Sequence, residues 1–447
     1  MTKATPPATS TRFAFRSDTY AWFVVFVLCV GSVVSLLERQ VINLLVEPIK
    51  ADLGVSDTEI SVLQGFAFAI FYSILAIPLG RLADTRNRVA IIIGGTLLFS
   101  LATFSSGLAT SFTLLFLARM FVGVGEATLT PSGMSLLGDY FPPEKMGRAI
   151  GLFTGSTFAG SGLALFILGG LLGWLGEHPD FIFPVIGPVK DWQLAFMFAS
   201  LPGVLFIVLM LLIREPPRSD ASGAVETPAP FSATFKYILS RARILAPLFI
   251  GLPLLAAANF AIIAWAPTFF IRTYGWQASE IGQVFGLMVT VLGTGGVIAG
   301  GVVSDWLTRR GRKDAGLIVP LLSVCLATPC VALFPLAGEA TRSLQLLGPA
   351  MFFGAMPFGA GSAAILSIAP NRMRGQIIAI YLLIASLVGS GLGPWAIAAY
   401  TDGVLGDPQL IGYSIATMVS ALFISGGLVI AVGLNVSRQL TPNRGPI

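Results

Sequence analysis

Twelve apolar runs dominate the chain, near residues 20–46, 59–83, 89–108, 112–138, 146–175, 192–213, 243–271, 281–304, 315–337, 345–369, 376–400 and 409–434. Each is long enough to cross about 30 Å of hydrocarbon. In lipid every backbone N–H and C=O must be satisfied internally, which leaves only helices and closed barrels as spanning forms. Barrel strands are short, about 10 residues, and alternate in polarity; these runs do neither. The sequence therefore predicts an all-α integral membrane protein with twelve transmembrane helices. Composition agrees: 55% of the 447 residues are hydrophobic and 11% charged, where soluble domains carry about 25% charged residues. The first 18 residues are polar. The run after them is longer than a signal-peptide core and has no small-residue cleavage site, so it is expected to be a retained first span.

Basic residues order the sides. Cytoplasmic loops retain Lys and Arg, and with the N-terminus inside, 21 of the 27 basic residues fall in inner segments and four (Lys50, Lys190, Arg272 and Arg342) in outer ones. Arg39 and Arg119 remain within the spans. Both termini are thus expected to be cytoplasmic, and the formal charge of +5 reports topology, not nucleic-acid binding. The longest hydrophilic stretch, from Arg214 to Pro230, reads as a linker. The expected organisation is a tail (1–19), a six-helix bundle (20–213), a linker (214–242), a second six-helix bundle (243–434) and a tail (435–447). Phe231, Phe235, Ile238 and Leu239 share one helical face amid basic residues, as a short interfacial helix would. Cys29, Cys325 and Cys330 lie in apolar runs and read as small hydrophobes.

The two halves repeat. A shift of 221 residues lays "DLGVSDTEI" (Asp52–Ile60) over "TYGWQASEI" (Thr273–Ile281), and "GRLADTRNR" (Gly80–Arg88) over "GVVSDWLTR" (Gly301–Arg309). A third pair, from Pro142 and from Ala369, aligns at a slightly larger shift. Parallel repeats of six helices are a transporter signature, with the substrate site near the midplane between them.

With these motifs in view, the chain resembles the major facilitator superfamily over nearly its whole length. Its G-x-L-A-D-x-x-G-R signature stands here as Gly80, Leu82, Ala83, Asp84 and Arg88, with Thr85 and Asn87 as departures. An asparagine at 87 is expected to tolerate a left-handed turn. The resemblance implies that Asp84 meets the start of span eleven near Gly375, with Arg88 and Arg148 paired around it when the inner side is closed. Asp305, Arg309 and Arg374 would form the equivalent gate in the second half. The string "RMFVGVGEA", the following "DYFPPEKMGRAIG" and the "REPPR" exit from span six look most like the spinster-type branch. That branch is linked to proton-coupled movement of lysolipids and sphingolipids.

Four charges lie deep within the apolar runs, away from their ends: Glu38 and Arg39 in span one, Arg119 and Glu126 in span four. Each costs roughly 2.5–3.5 kcal/mol at the centre of a membrane helix, so each needs a partner and a purpose. Span one runs outward and span four inward, which places the four in one depth band. Arg119 and Glu126 share a helical face about 10 Å apart, whereas Glu38 and Arg39 point about 100° apart and can engage different partners. In the superfamily fold both spans line the central cavity. A buried ion network that holds helix register would use the same residues. The sharper reading is a proton switch, because a carboxyl group out of water holds its proton until a cation approaches. Glu126 is the expected carrier and Glu38 the second candidate, with Arg39 and Arg119 as counter-charges. Asn259, Trp265, Phe269, Phe353 and Tyr381 are candidates for lining an amphiphile pocket. Packing explains such aromatics equally.

The chain has no Walker motif, zinc spacing or nucleophile triad. The expectation is therefore no enzyme, no cofactor and no metal, but a monomeric multi-pass protein of the cell membrane, probed by proton and membrane lipid and carrying a small amphipathic substrate. Proton-coupled export is the leading reading. An importer of small organic acids or sugar-derived solutes is the alternative, with Arg39 and Arg119 on the substrate carboxylate. A membrane receptor or sensor is a remoter one.

Overall fold

The computed structural model describes residues 18–178, 189–217, 230–312, 314–368, 370 and 373–440. Regular structure among them is entirely helical. The first six spans are Asp18–Leu44, Asp57–Thr85, Arg88–Ser106, Phe112–Tyr140, Pro143–Glu177 and Asp191–Leu211. The last six are Ala242–Tyr274, Ala278–Arg309, Ala315–Leu333, Ala340–Ile368, Arg374–Tyr400 and Ile411–Leu440. Eleven helical stretches are long and apolar enough to cross a membrane. The twelfth expected span coincides with helix Ala340–Ile368, whose 29 residues have a span's length. Large apolar side chains such as Leu211 and Leu428 lie on the outside, as they do when lipid is the solvent. Helix Phe231–Ser240 forms where an interfacial helix was expected. The remainder of the linker (218–229) and most of both expected tails (1–17 and 441–447) lie outside the described residues.

Turn chemistry bears out the internal repeat. Gly54 and Gly275, matched by the 221-residue shift, both end a helix with φ in the left-handed region, +66° and +69°, which costs a residue with a Cβ about 1–2 kcal/mol. Two residues after Gly54, Ser56 and Glu59 form a reciprocal capping box that starts span two. Asn87 departs from the expectation. Its φ is −63°, and its side-chain Oδ1 accepts from Ala90 N at 2.8 Å, so it caps span three rather than making a left-handed turn.

The halves meet along two seams, span five against span eight and span two against span eleven. Both are backbone-close. A Cβ on Gly162 would fall 2.3 Å from the Gly286 carbonyl, and one on Gly65 would fall 1.9 Å from the Ser390 carbonyl. Small residues permit such approach where lipid supplies no hydrophobic drive between helices. Each seam also carries π-helical turns: Val62–Phe66 of span two against Leu387–Leu392 of span eleven, and Val289–Gly293 of span eight against span five.

Candidate functional site

Span four breaks after Glu126 and resumes at Leu129, so Glu126 sits at a helix junction facing span one. Its nearest cation is Arg39, with Nη1 3.9 Å from Oε1, the outer limit of an ion pair. Arg39 lies over the Phe68 ring at 3.9 Å and 5.8 Å from that of Phe260 in the other half. Arg119 is fully buried, yet among the described residues it forms no side-chain ion pair. Its Nη1 and Nη2 donate to the backbone carbonyls of Glu38 (2.9 Å) and Arg39 (2.7 Å), pinning span four to span one. Glu38 turns away towards span three, where its Oε1 accepts from Ser100 Oγ at 2.7 Å. Span one thus sends its two charges to different neighbours. The quartet is only partly satisfied: Glu38 Oε2, Glu126 Oε2 and Arg119 Nε are buried without a hydrogen-bond partner.

Arg39 also lines a cavity of about 180 Å³ between the halves. The first six spans give it Arg39, Gln40, Asn43 and Gln64 together with Phe158; the last six give it mainly Phe260, Ile263 and Phe358. None of Asn259, Trp265, Phe269, Phe353 and Tyr381 is in this lining. Trp265 and Phe269 are fully buried in the second bundle, and Trp265 Nε1 donates to Pro394 O at 3.0 Å. Asn259 Nδ2 donates to the Gly354 carbonyl of span ten, and Tyr381 packs edge-on against Phe249. The cavity aromatic on span seven is Phe260, one position and about 100° away from the expected Asn259. Of the four expected cavity charges only Arg39 is in the lining; Glu38, Arg119 and Glu126 are not.

A second charged group escaped the sequence reading. Arg272, at the end of span seven, donates to both carboxylate oxygens of Asp57 at 2.7 Å, to Glu47 Oε1 at 2.8 Å and to Pro408 O at 3.1 Å. Lys50 also bonds Asp57. Nearby, Asp402 accepts from Thr58 N and Thr58 Oγ1, both at 2.7 Å. These bonds tie the first half to the second at one end of the bundle. The signal was present: Lys50 and Arg272 are two of only four basic residues in the outer segments.

At the opposite, arginine-rich end, Asp84 and Arg148 are exposed, and among the described residues neither makes an ion pair. Arg88 is instead buried against Asp139 and against Glu215, whose Oε1 accepts from Nε at 2.6 Å. It also donates to the hydroxyl and carbonyl of Ser135. The expected pairing around Asp84 is therefore not the arrangement here, because Asp139 and the residue leaving span six take the guanidinium. Asp305 and Arg309 lie at the end of span eight without ion pairs among the described residues. The side chain of Arg374 lies outside them.

The Major Facilitator Superfamily model matches residues 28–394. An MFS-type efflux pump of Mycolicibacterium smegmatis is 26% identical over 411 residues, covering 91% of each protein. Protein spinster homolog 3 of Danio rerio is 26% identical over 422 residues, 90% of this chain and 80% of the relative. Among solved structures, a bacterial homologue of the human lysosomal transporter spinster, inward-facing and unoccupied, superposes with a TM-score of 0.76 at 24% identity, over 94% of this chain and 97% of that one. Twelve helices in two matched sets, a cavity between them and a family match over most of the length lead to one conclusion: this multi-pass membrane protein belongs to the Major Facilitator Superfamily of transporters.

Proposed function

We propose that the protein is a proton-coupled transporter of an amphipathic substrate that works by alternating access, with Glu126 as the proton carrier; this geometry supports cotransport of proton and substrate in place of the export expected from the sequence. One observation supports this above others. Among the described residues Glu126 has a single cation in ion-pair range, Arg39, and that cation also lines the cavity between the halves. An anionic group entering the cavity competes with Glu126 for Arg39. When the substrate takes the arginine, Glu126 loses its counter-charge and binds a proton; when the substrate leaves, the arginine returns and the proton is released. The mostly apolar lining favours a substrate with an apolar body. Arg119 serves as the fixed member, since its donors are engaged by backbone carbonyls. Glu38, off the cavity and in contact with a hydroxyl, holds span three to span one in this scheme.

In the sequence-derived orientation the Arg272 end faces outward, so the latch across that end is the gate that closes the outer side. Asp84, Arg88 and Arg148, with Asp305, Arg309 and Arg374, are proposed to close the inner side in the alternate state. The test is flux in proteoliposomes with an imposed pH gradient beside exchange without one. Loss of gradient-driven flux with retained exchange in Glu126→Gln supports the carrier role, and full gradient-driven accumulation in that variant refutes it. The organic-acid reading rests on the same Arg39. Gradient-driven uptake that is saturable by a short hydrophilic acid and is not competed by alkyl-chain acids favours it over the amphipathic substrate.

A further inference from the structure

Gln40 and Gln64 both line the cavity and are each only 6% exposed. In each the amide nitrogen is engaged. Gln40 Nε2 donates to Ser161 Oγ at 2.6 Å, and Gln64 Nε2 donates across the halves to the Ala264 carbonyl at 3.3 Å. The second bond fixes the amide's orientation, because a carbonyl oxygen can only accept. The two amide oxygens accept nothing. Buried polar atoms are nearly always partnered, so two open acceptors in the wall of one cavity call for an explanation.

The repeat supplies an internal control. At the 221-residue shift, Arg39, Gln40, Asn43 and Gln64 correspond to Phe260, Ala261, Ala264 and Phe285. The same positions of the fold are therefore built without any acceptor in the second half. The acceptors are not something the helix geometry demands.

We infer that Gln40 and Gln64 are specificity residues. Among anionic amphiphiles drawn to Arg39, they select those carrying hydrogen-bond donors, hydroxyl or ammonium, beside the charged group. The inference rests on the proposed reading that the cavity takes an amphipathic substrate, and it names the polar end of that substrate. A ligand with the same charge but no donor covers both acceptors with apolar surface and leaves them unpaired. Sites built to bond a donor reject the analogue lacking it far more strongly than sites that discriminate by size.

The test uses the full-length protein in nanodiscs with matched probes of eight to twelve carbons, 3-hydroxyalkanoates and the corresponding alkanoates, and D-gluconate as a donor-rich acid without an apolar body. The wild type is expected to bind the hydroxy acid at least tenfold more tightly than the plain acid. Gln40→Met and Gln64→Met keep the side-chain length and remove the acceptor. Each is expected to reduce that ratio, and the double variant to bring it to about one, with the alkanoate binding more tightly once no acceptor is left unpaired beneath it. The readout is a ratio of affinities on one preparation, so a misfolded fraction does not move it. A wild-type ratio of one, or a ratio unchanged in the double variant, overturns the inference and leaves the amphiphile reading standing. Tighter binding of gluconate than of either alkyl series, or no binding of either series, overturns both.

Discussion

Two clusters in this molecule have the same inventory, two acids and two bases, and opposite degrees of satisfaction. At the end of the bundle, Glu47, Asp57, Lys50 and Arg272 are all paired, and Asp57 accepts from Lys50 of its own half and, through both oxygens, from Arg272 of the other. At the midplane, Glu38, Arg39, Arg119 and Glu126 share one ion pair at 3.9 Å and leave three polar atoms without partners. A fully bonded buried cluster has one stable arrangement and acts as a lock. An under-bonded one has room for a proton or a ligand group. Charge balance in the sequence does not separate these cases; hydrogen-bond completeness does.

Breaking the comparison at the midplane should have the largest effect. Glu126→Gln is expected to abolish gradient-driven flux while exchange persists, measured in proteoliposomes. Glu38→Gln keeps an acceptor for Ser100 and is expected to be much milder. Equal loss in both variants would make Glu38 a second carrier.

Next comes the lock. Arg272→Ala leaves Asp57 buried with only Lys50, and breaking a buried pair from one side costs about 3–5 kcal/mol. The closed state at that end is therefore expected to give way to an open one. Spin labels at Ala51 and Thr273 in a cysteine-free background should report a longer distance. An unchanged distribution would reduce the cluster to a topology anchor. Asp402→Asn, which weakens the bonds to Thr58, is a smaller change of about 1 kcal/mol and should move the same distance distribution only partly.

The smallest effect belongs to an exposed pair close to the lock. Lys190 bonds Asp52 and holds its carboxyl below the usual carboxylate range, with Trp192 Nε1 donating to the same group at 2.9 Å. A depressed pKa stabilises the contact above the unfolded value, about 3.9, and the contribution is lost as pH falls through the lower folded value. Trp192 fluorescence is expected to stay constant down to about pH 4 and to change below it, and Lys190→Ala should move that change to higher pH. A transition near neutrality would point to a different group.

Much of the architecture was legible because spans and repeats are one-dimensional signals. Apolar runs marked the helices, and a single offset matched Gly54 to Gly275, which share a left-handed turn. The depth argument brought the four charges of spans one and four to one place, and the 100° separation of Glu38 from Arg39 correctly gave them different partners. What stayed hidden depends on contacts between segments far apart in the chain. Arg119 bonding backbone carbonyls leaves no trace in residue type. Arg88 pairing with Asp139 and Glu215 requires span six to return beside span three. The pocket aromatic Phe260 was missed, although its neighbour Asn259 was named, because depth can be read from sequence, whereas the rotation of a helix about its axis is set by its neighbours.

That rotation is where the π-helical turn of span two matters. Val62–Phe66 holds one residue more than a regular α turn would, so the side chains before it are offset by roughly 100° from the phase set by those after it. Asp57 lies on one side of this turn, bonded to Arg272, while Gly65 lies within it against the Ser390 carbonyl. The surplus residue works like a vernier between two fixed marks: deleting it would restore an even thread and leave the span able to meet one of these partners at a time.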